Sequence, residues 1–184
     1  MLVPPIPYQL RKMILDDLTA VKEIDRLSFP TPARDGMFEH EIDGNNLAYY
    51  QVLEQVTDSQ NTSIIGYSGY WLIGDELHVS TIATHPTWRG KKLGELLLLN
   101  MLMDCYKQPT SIATLEVRIN NKTAQNLYLK YKFDIVGQRK RYYRDTGEDA
   151  LIMTVQFLDA AYLQFLKEKQ NILFTHLTSE AETI

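Results

Sequence analysis

One stretch limits the fold more than any other: HPTWRGKKLGELLLLNMLMDCY, residues 85–106. Its first half is a basic turn punctuated by glycine, and its second half is apolar on nearly every side. A helix with so little polar face has to be buried, and a sheet face is the natural cover. The apolar run 93–103 is too short to cross a bilayer and is interrupted by Glu95 and Asn100. It therefore reads as a core helix and not as a membrane segment.

The flanking residues supply the sheet. AYYQVLEQV (48–56), TSIIGYSGYWLI (62–73) and LHVSTIAT (77–84) are rich in β-branched and aromatic residues. Short polar links, including the turn GDE (74–76), join them, which predicts an antiparallel meander. Beyond the buried helix, IATLEVRI (112–119) alternates as a strand and 121–131 has helical spacing. Strands follow at 133–144 and 150–157, separated by the turn DTGED. Ahead of the meander, YQLRKM (8–13) reads as a short strand. A helix comes next with Leu18, Val21, Ile24 and Leu27 on one side and Asp16 or Asp17 as its cap. SFPTPARDG (28–36) stops it through two prolines, and FEHEI (38–42) gives one or two more helical turns. At the other end, Asp159 starts a helix to about Gln170, and the tail 175–184 reads as loosely ordered. The order predicts a mixed α/β fold, with a largely antiparallel central sheet and helices on both faces.

A chain of 184 residues suits one domain. A formal net charge of −4 gives no global basic field, so direct nucleic-acid binding and attraction to acidic membranes are not expected. Cys105, the single cysteine, allows no intramolecular disulfide and sits in the apolar helix as a small core residue. The start, MLVPPIPYQL, lacks the basic region of a signal peptide, and a cytoplasmic location is expected. His40, His78, His85 and His176 show no metal-ligand spacing, and no GxSxG or other nucleophile motif is present.

Two places carry candidate chemistry. The turn WRGKKLG (88–94) joins a strand to a helix, where exposed N–H groups and the helix dipole favour an anion, although a plain basic surface turn would look the same. Period two in LEVRI places Thr114, Glu116 and Arg118 on one face, so Glu116 is either a solvated neighbour of Arg118 or a functional carboxylate. In NKTAQNLYLKY, Tyr128 shares a face with Ala124, Leu127 and Tyr131, so it packs on the sheet while its hydroxyl seeks a partner.

Together STIATHPTWRGKKLGELLL, LEVRINNKTAQNLYLKYKF and RKRYYRDTGEDALIM, in that order, resemble the GNAT superfamily of acetyl-CoA-dependent N-acetyltransferases. Within it they are similar to the branch that acetylates the N-terminal alanine of ribosomal proteins, which SFPTP also matches. The resemblance runs from about residue 8 to 157, implying an N-acetyltransferase domain over 1–157 with 158–184 as an extension of the same domain. It implies acetyl-CoA as cosubstrate. Ile82, Ala83 and Thr84 would face the acetyl-pantetheine arm, and Arg89, Gly90, Lys91, Lys92, Leu93, Gly94 and Glu95 the pyrophosphate, with Asn121 a further contact. Lys92 stands where the family has its middle glycine, and Lys132 where it has the glycine after the helix. Glu116 matches the general base and Tyr128 the general acid, with Glu76 a second carboxylate on the preceding strand. Phe29 and Pro30 would flank the peptide groove opposite Tyr142 and Tyr143, unless these aromatics only fill the core or sheet edge. The expected partner is a protein N-terminus, possible ribosomal substrates included. Acetylation of a small amine or a lysine, or a non-catalytic acyl-CoA-binding module, are the alternatives.

Overall fold

The β-rich segments form one seven-stranded sheet in a computed structural model that describes residues 1–58, 61–106, 109–156 and 158–181. The strands are β1 (Tyr8–Lys12), β2 (Ala48–Val56), β3 (Thr62–Ile73), β4 (Glu76–Thr84), β5 (Ile112–Arg118), β6 (Asp134–Tyr143) and β7 (Glu148–Gln156), in the order β1-β2-β3-β4-β5-β7-β6. Every neighbouring pair is antiparallel except β4 and β5. That parallel pair is joined through α3 (Leu93–Cys105), the crossover such strands require.

The predicted meander is therefore present, and β2 and β3 have the bounds read from the sequence. Phe157, the predicted end of the last strand, lies outside the described residues, as do residues 182–184 of the tail. Among the described residues no helix is long and apolar enough to cross a membrane.

The sheet has two packed faces. On one, α3 lies with Leu93, Leu96–Leu99, Met101 and Leu102 all at most 1% exposed, so its all-round apolar sequence is matched by all-round cover. The same core takes in Tyr128 and Tyr131 of α4 (Lys122–Lys130) and its C-cap. On the other face, α1 (Leu18–Ser28) and the short α2 (Met37–Glu39) bring Leu18, Val21, Ile24 and Phe38 onto Tyr50, Val52 and Tyr67. A turn of π-helix, His40–Gly44, continues α2.

Three local expectations need correction. Leu27 is 38% exposed, because the side of α1 that meets the sheet runs through Val21, Ile24, Asp25 and Ser28, which bonds Thr84 O, and leaves Leu27 at its edge. Asp17 precedes α1 but makes no cap bond to it; its carboxylate accepts the N–H of Ile14 at 2.8 Å and pairs with Arg11 at 2.7 Å. The tail is not loose up to Ala181: α5 (Ala160–Ala181) runs through it. Leu166, Leu173 and Leu177 enter the main core at 0–2% exposure, and burial of those leucines overrides the weak helix propensity of the surrounding Asn171, Thr175 and Thr178.

Candidate active site

The site begins with a break in the sheet. The parallel ladder of β4 and β5 ends at Val79 opposite Leu115. Both strands run on, β4 to Thr84 against β3 and β5 to Arg118 against β7, so a cleft opens between them. A bulge drives the divergence: Gly69 pairs with Thr81 and Tyr70 with Val79, leaving Ser80 unmatched. The extra residue inverts the alternation of β4. Leu77 and Val79 pack under α3 before it, and Ile82 does so after it, while Ala83 turns to the α1 side. Tyr50 holds the bulge, with its hydroxyl 3.3 Å from Ser80 Oγ. Its ring lies over Gly69, where a Cβ would come within 2.4 Å of it, so no other residue fits.

Because His85 donates its N–H to Ile65 O at 2.8 Å, period two turns the backbone of Ala83 and Thr81 toward β3 and that of Ile82 and Thr84 into the cleft. Apart from Thr84 O, which accepts from the Ser28 hydroxyl, these groups on β4 are suited to hydrogen-bond an extended, amide-bearing chain. At the end of β4 the basic turn leads into α3. Gly90 (φ 83°) and Lys92 (φ 56°) are both left-handed, which curls the chain so that the first N–H groups of α3 face outward. Arg89 and Lys92 are exposed beside them, and Lys91 lies over the Trp88 ring at 4.6 Å. Gly90 and Gly94 have nothing within 4 Å of a built Cβ, so the concavity is open. The residues present fit a pyrophosphate with an attached pantetheine arm.

On the α1 side of the cleft lies a line of polar groups. Glu116, its side chain 8% exposed, pairs with His78 Nε2 at 3.1 Å and with Arg139 at 3.2 Å. The His78 hydrogen bond holds the Glu116 carboxyl below its usual range against the opposing effect of burial, and Arg139 adds to it. The same bond raises His78 above the ordinary imidazole value, with Glu76, 3.5 Å from Nδ1, contributing. Trp71 stacks on the His78 ring at 5.6 Å and donates its Nε1–H to the buried Glu41 at 2.6 Å.

From the α3 side, Tyr128 is 8% exposed, and burial, reinforced by Tyr143, pushes its phenol up. Among the described residues its hydroxyl makes no hydrogen bond. Tyr143 donates to Glu116 O at 3.3 Å and carries Arg118 stacked at 3.9 Å, and burial pushes its phenol up to about 12. Asp145, held by Arg118 at 2.6 Å, also bonds the side chain of Thr31, so the β6–β7 hairpin meets the loop after α1 above the cleft. Ser28 ties that loop to Thr84 O and to Arg89.

The elements that border the cleft carry Ile82, Thr84, Glu116, Tyr128, Tyr142 and Tyr143, while Phe29, on the loop after α1 with Pro30, packs against the core under α1. Two side chains expected at the cosubstrate are otherwise engaged. Glu95 turns its carboxylate away to Lys130 (2.6 Å) and Tyr131 (3.0 Å), leaving only its N–H at the turn. Asn121 caps α4 through Oδ1 on Ala124 N–H at 3.1 Å. Glu116 neighbours His78 and not Arg118, and Glu76 belongs to β4 itself. His78 and Trp71 were missed from the sequence. Their signal was alternation on β4 and β3, but the partner strand and its register set which carboxylate they meet.

The sequence signature described as the Acetyltransferase (GNAT) family matches residues 18–133. A Bacillus subtilis protein provisionally named a ribosomal protein bS18-alanine N-acetyltransferase is 39% identical over 146 residues, 79% of this chain and 93% of that one. The Mycobacterium tuberculosis N-alpha-acetyltransferase RimI is 37% identical over 95 residues, 50% of this chain and 58% of its own length. The crystal structure of the ribosomal-protein-S18-alanine N-acetyltransferase of Escherichia coli superposes with a TM-score of 0.72 at 24% identity, covering 83% of this chain and 96% of that one, a likeness of fold. This chain belongs to the GNAT family of acetyltransferases.

Proposed function

We propose that the protein moves acetyl from acetyl-CoA to the α-amine of a protein N-terminus, with the N-terminal alanine of ribosomal protein bS18 as its substrate. The observation that carries the reading is the cleft between β4 and β5, with a carboxylate on one wall and a buried phenol on the other. The name of the Bacillus subtilis relative supports the choice of acceptor. A substrate of that kind places the enzyme in the cytoplasm.

The residues divide the work. The turn 89–94 binds the diphosphate through backbone N–H groups and the Arg89 and Lys92 charges. The N–H groups of Ile82 and Thr84 hold the pantetheine amide and face the thioester oxygen, where negative charge develops. Glu116 takes the proton of the incoming ammonium, so that nitrogen bonds to the acetyl carbon. Tyr128, kept protonated by its burial, gives its proton to the sulfur as the C–S bond breaks, and the second proton lost by the nitrogen as the amide forms restores the phenol. No enzyme nucleophile takes part, and Cys105, buried in α3 with its thiol pushed up to about 12 by desolvation, is unsuited to be one. An α-amine, with a pKa of about 7.7–8.0 against about 10.4 for lysine, asks less of a depressed carboxylate. Phe29, Pro30, Tyr142 and Tyr143 flank the acceptor.

The test is mass spectrometry of a peptide beginning Ala-Arg, incubated with the protein and acetyl-CoA beside a lysine-containing copy whose amino terminus is blocked. Acetyl is expected only on the free α-amine. Label on lysine, or on neither peptide, overturns the proposal.

A further inference from the structure

We infer that His78 is a positioning residue that receives the proton collected by Glu116 and delivers it to Glu76 at the surface; the inference rests on the reading of Glu116 as the base.

The argument starts from confinement. The Glu116 side chain is 8% exposed, so a proton it accepts does not simply pass to bulk water. One of its oxygens faces Arg139, a guanidinium that has no acceptor and does not deprotonate in a protein. The other faces His78 Nε2 at 3.1 Å. Among the described residues His78 is the neighbour of this carboxylate that can take up a proton and pass one on. The far ring nitrogen, Nδ1, lies 3.5 Å from Glu76, whose side chain is 38% exposed. The imidazole therefore bridges an enclosed carboxylate and a solvated one.

The ring is held for this. Trp71 of β3 stacks on it at an interplanar angle of 22°, and Glu41 fixes the indole by accepting its N–H. The charged and titratable groups around the ring are Glu76 on its own strand, Glu116 on β5 and Glu41 behind Trp71. Arg139 and Tyr142 on β6 act on it through Glu116. A histidine that served only to fill space would not need carboxylates at both nitrogens.

The relay balances. Glu116 becomes a neutral carboxyl when it takes the ammonium proton. Nε2 of neutral His78 accepts that proton, and Nδ1 releases its own to the Glu76 carboxylate, which returns it to water. The ring ends as the opposite tautomer and resets by exchange with solvent.

The experiment is the pH dependence of kcat for the wild type, His78→Gln, His78→Asn and Glu116→Gln, with acetyl-CoA binding measured by calorimetry on each. The wild type should lose kcat on the acid side with a midpoint above the ordinary imidazole value of about 6.5. Both His78 variants should bind acetyl-CoA normally, run at least about tenfold slower at the plateau, and lose that acid-side titration. A wild-type plateau in either variant overturns the relay. So does a lowered plateau with the acid limb unmoved, which would mark a packing role. If Glu116→Gln keeps wild-type kcat, the assignment of the base fails first; if it is inactive while His78→Gln is unaffected, only the relay falls.

Discussion

The Tyr67 hydroxyl, buried in β3, donates to the Asp25 carboxylate at 2.5 Å, and the second oxygen of that carboxylate accepts the N–H of Ala33 at 2.6 Å. One buried side chain thereby anchors the loop carrying Phe29 and Pro30 to the sheet. Asp25→Ala leaves a phenol and an amide without their acceptor, and a loss of about 1–3 kcal/mol in urea unfolding is expected. With the loop released, KM for the acceptor peptide should rise while calorimetric acetyl-CoA affinity stays unchanged. An unchanged peptide KM would separate the loop from the acceptor.

Glu116→Gln keeps the size of the side chain and removes its basicity; Tyr128→Phe removes only a hydroxyl. Each should lower kcat by about 10²–10⁴ with acetyl-CoA binding retained. Steady-state rates beside calorimetry decide it, and full activity in both variants would refute the roles given to them.

Lys132 occupies a position built for glycine. At φ 62° it ends α4 in a Schellman arrangement, with Phe133 N–H on Tyr128 O at 3.1 Å and Lys132 N–H on Leu129 O at 3.0 Å. The left-handed backbone costs a side-chain-bearing residue energy, which the ammonium lying 4.2 Å over the Phe165 ring partly offsets. Lys132→Gly should raise stability by about 0.5–1 kcal/mol, read as a higher urea midpoint at constant slope.

Leu177 and Ile172 both lie in α5, at 0% and 63% exposure. Leu177→Ala should cost about 2–5 kcal/mol, whereas Ile172→Ala should stay within about 0.5. Equal, small effects in thermal melts would mean that the last turns of α5 contribute nothing to the core.

Arg11 bridges two buried carboxylates, Asp17 at 2.7 Å and Glu54 at 2.6 Å. Burial would raise the Asp17 carboxyl, but the Arg11 hydrogen bond and the Ile14 N–H outweigh it and bring it below its ordinary value. Its stabilising contribution is therefore complete above the unfolded value of about 3.9 and is lost as pH falls through the lower folded value. Arg11→Met should destabilise by about 2–4 kcal/mol at pH 7, less than a fully buried pair because Arg11 is part-exposed. The gap to the wild type should close toward pH 3, in urea titrations at several pH values.

The strands of the meander and α3 were legible because each is a local pattern: runs of β-branched and aromatic residues in 48–56 and 62–73, continuous apolarity in 93–105. The cleft was less so. Its residues could be named from resemblance, but Ser80 carries no mark of a bulge, and nothing in β4 states that it will run parallel to β5. Hence His78 looked like a scattered histidine, and the one neighbour the sequence offered for Glu116 was Arg118, two residues along its own strand. Asn121 and Glu95 show the converse: a side chain that fits a motif can be held by the fold, Asn121 Oδ1 at the start of its own helix and the Glu95 carboxylate at the end of α4. In α5 the spacing of Leu166, Leu173 and Leu177 was overlooked among polar neighbours.

The short parallel ladder between β4 and β5 is also a mechanical seam. On one side lie β1 to β4 and on the other β5 to β7, each half laced by longer antiparallel pairing. On the proposed reading, a cosubstrate arm lying in the cleft would act as a stitch, pairing with β4 where β5 has turned away. Without it those β4 groups face open space, so the amides of Ile82 and Thr84 should exchange their hydrogens freely in the empty protein and slowly in the loaded one.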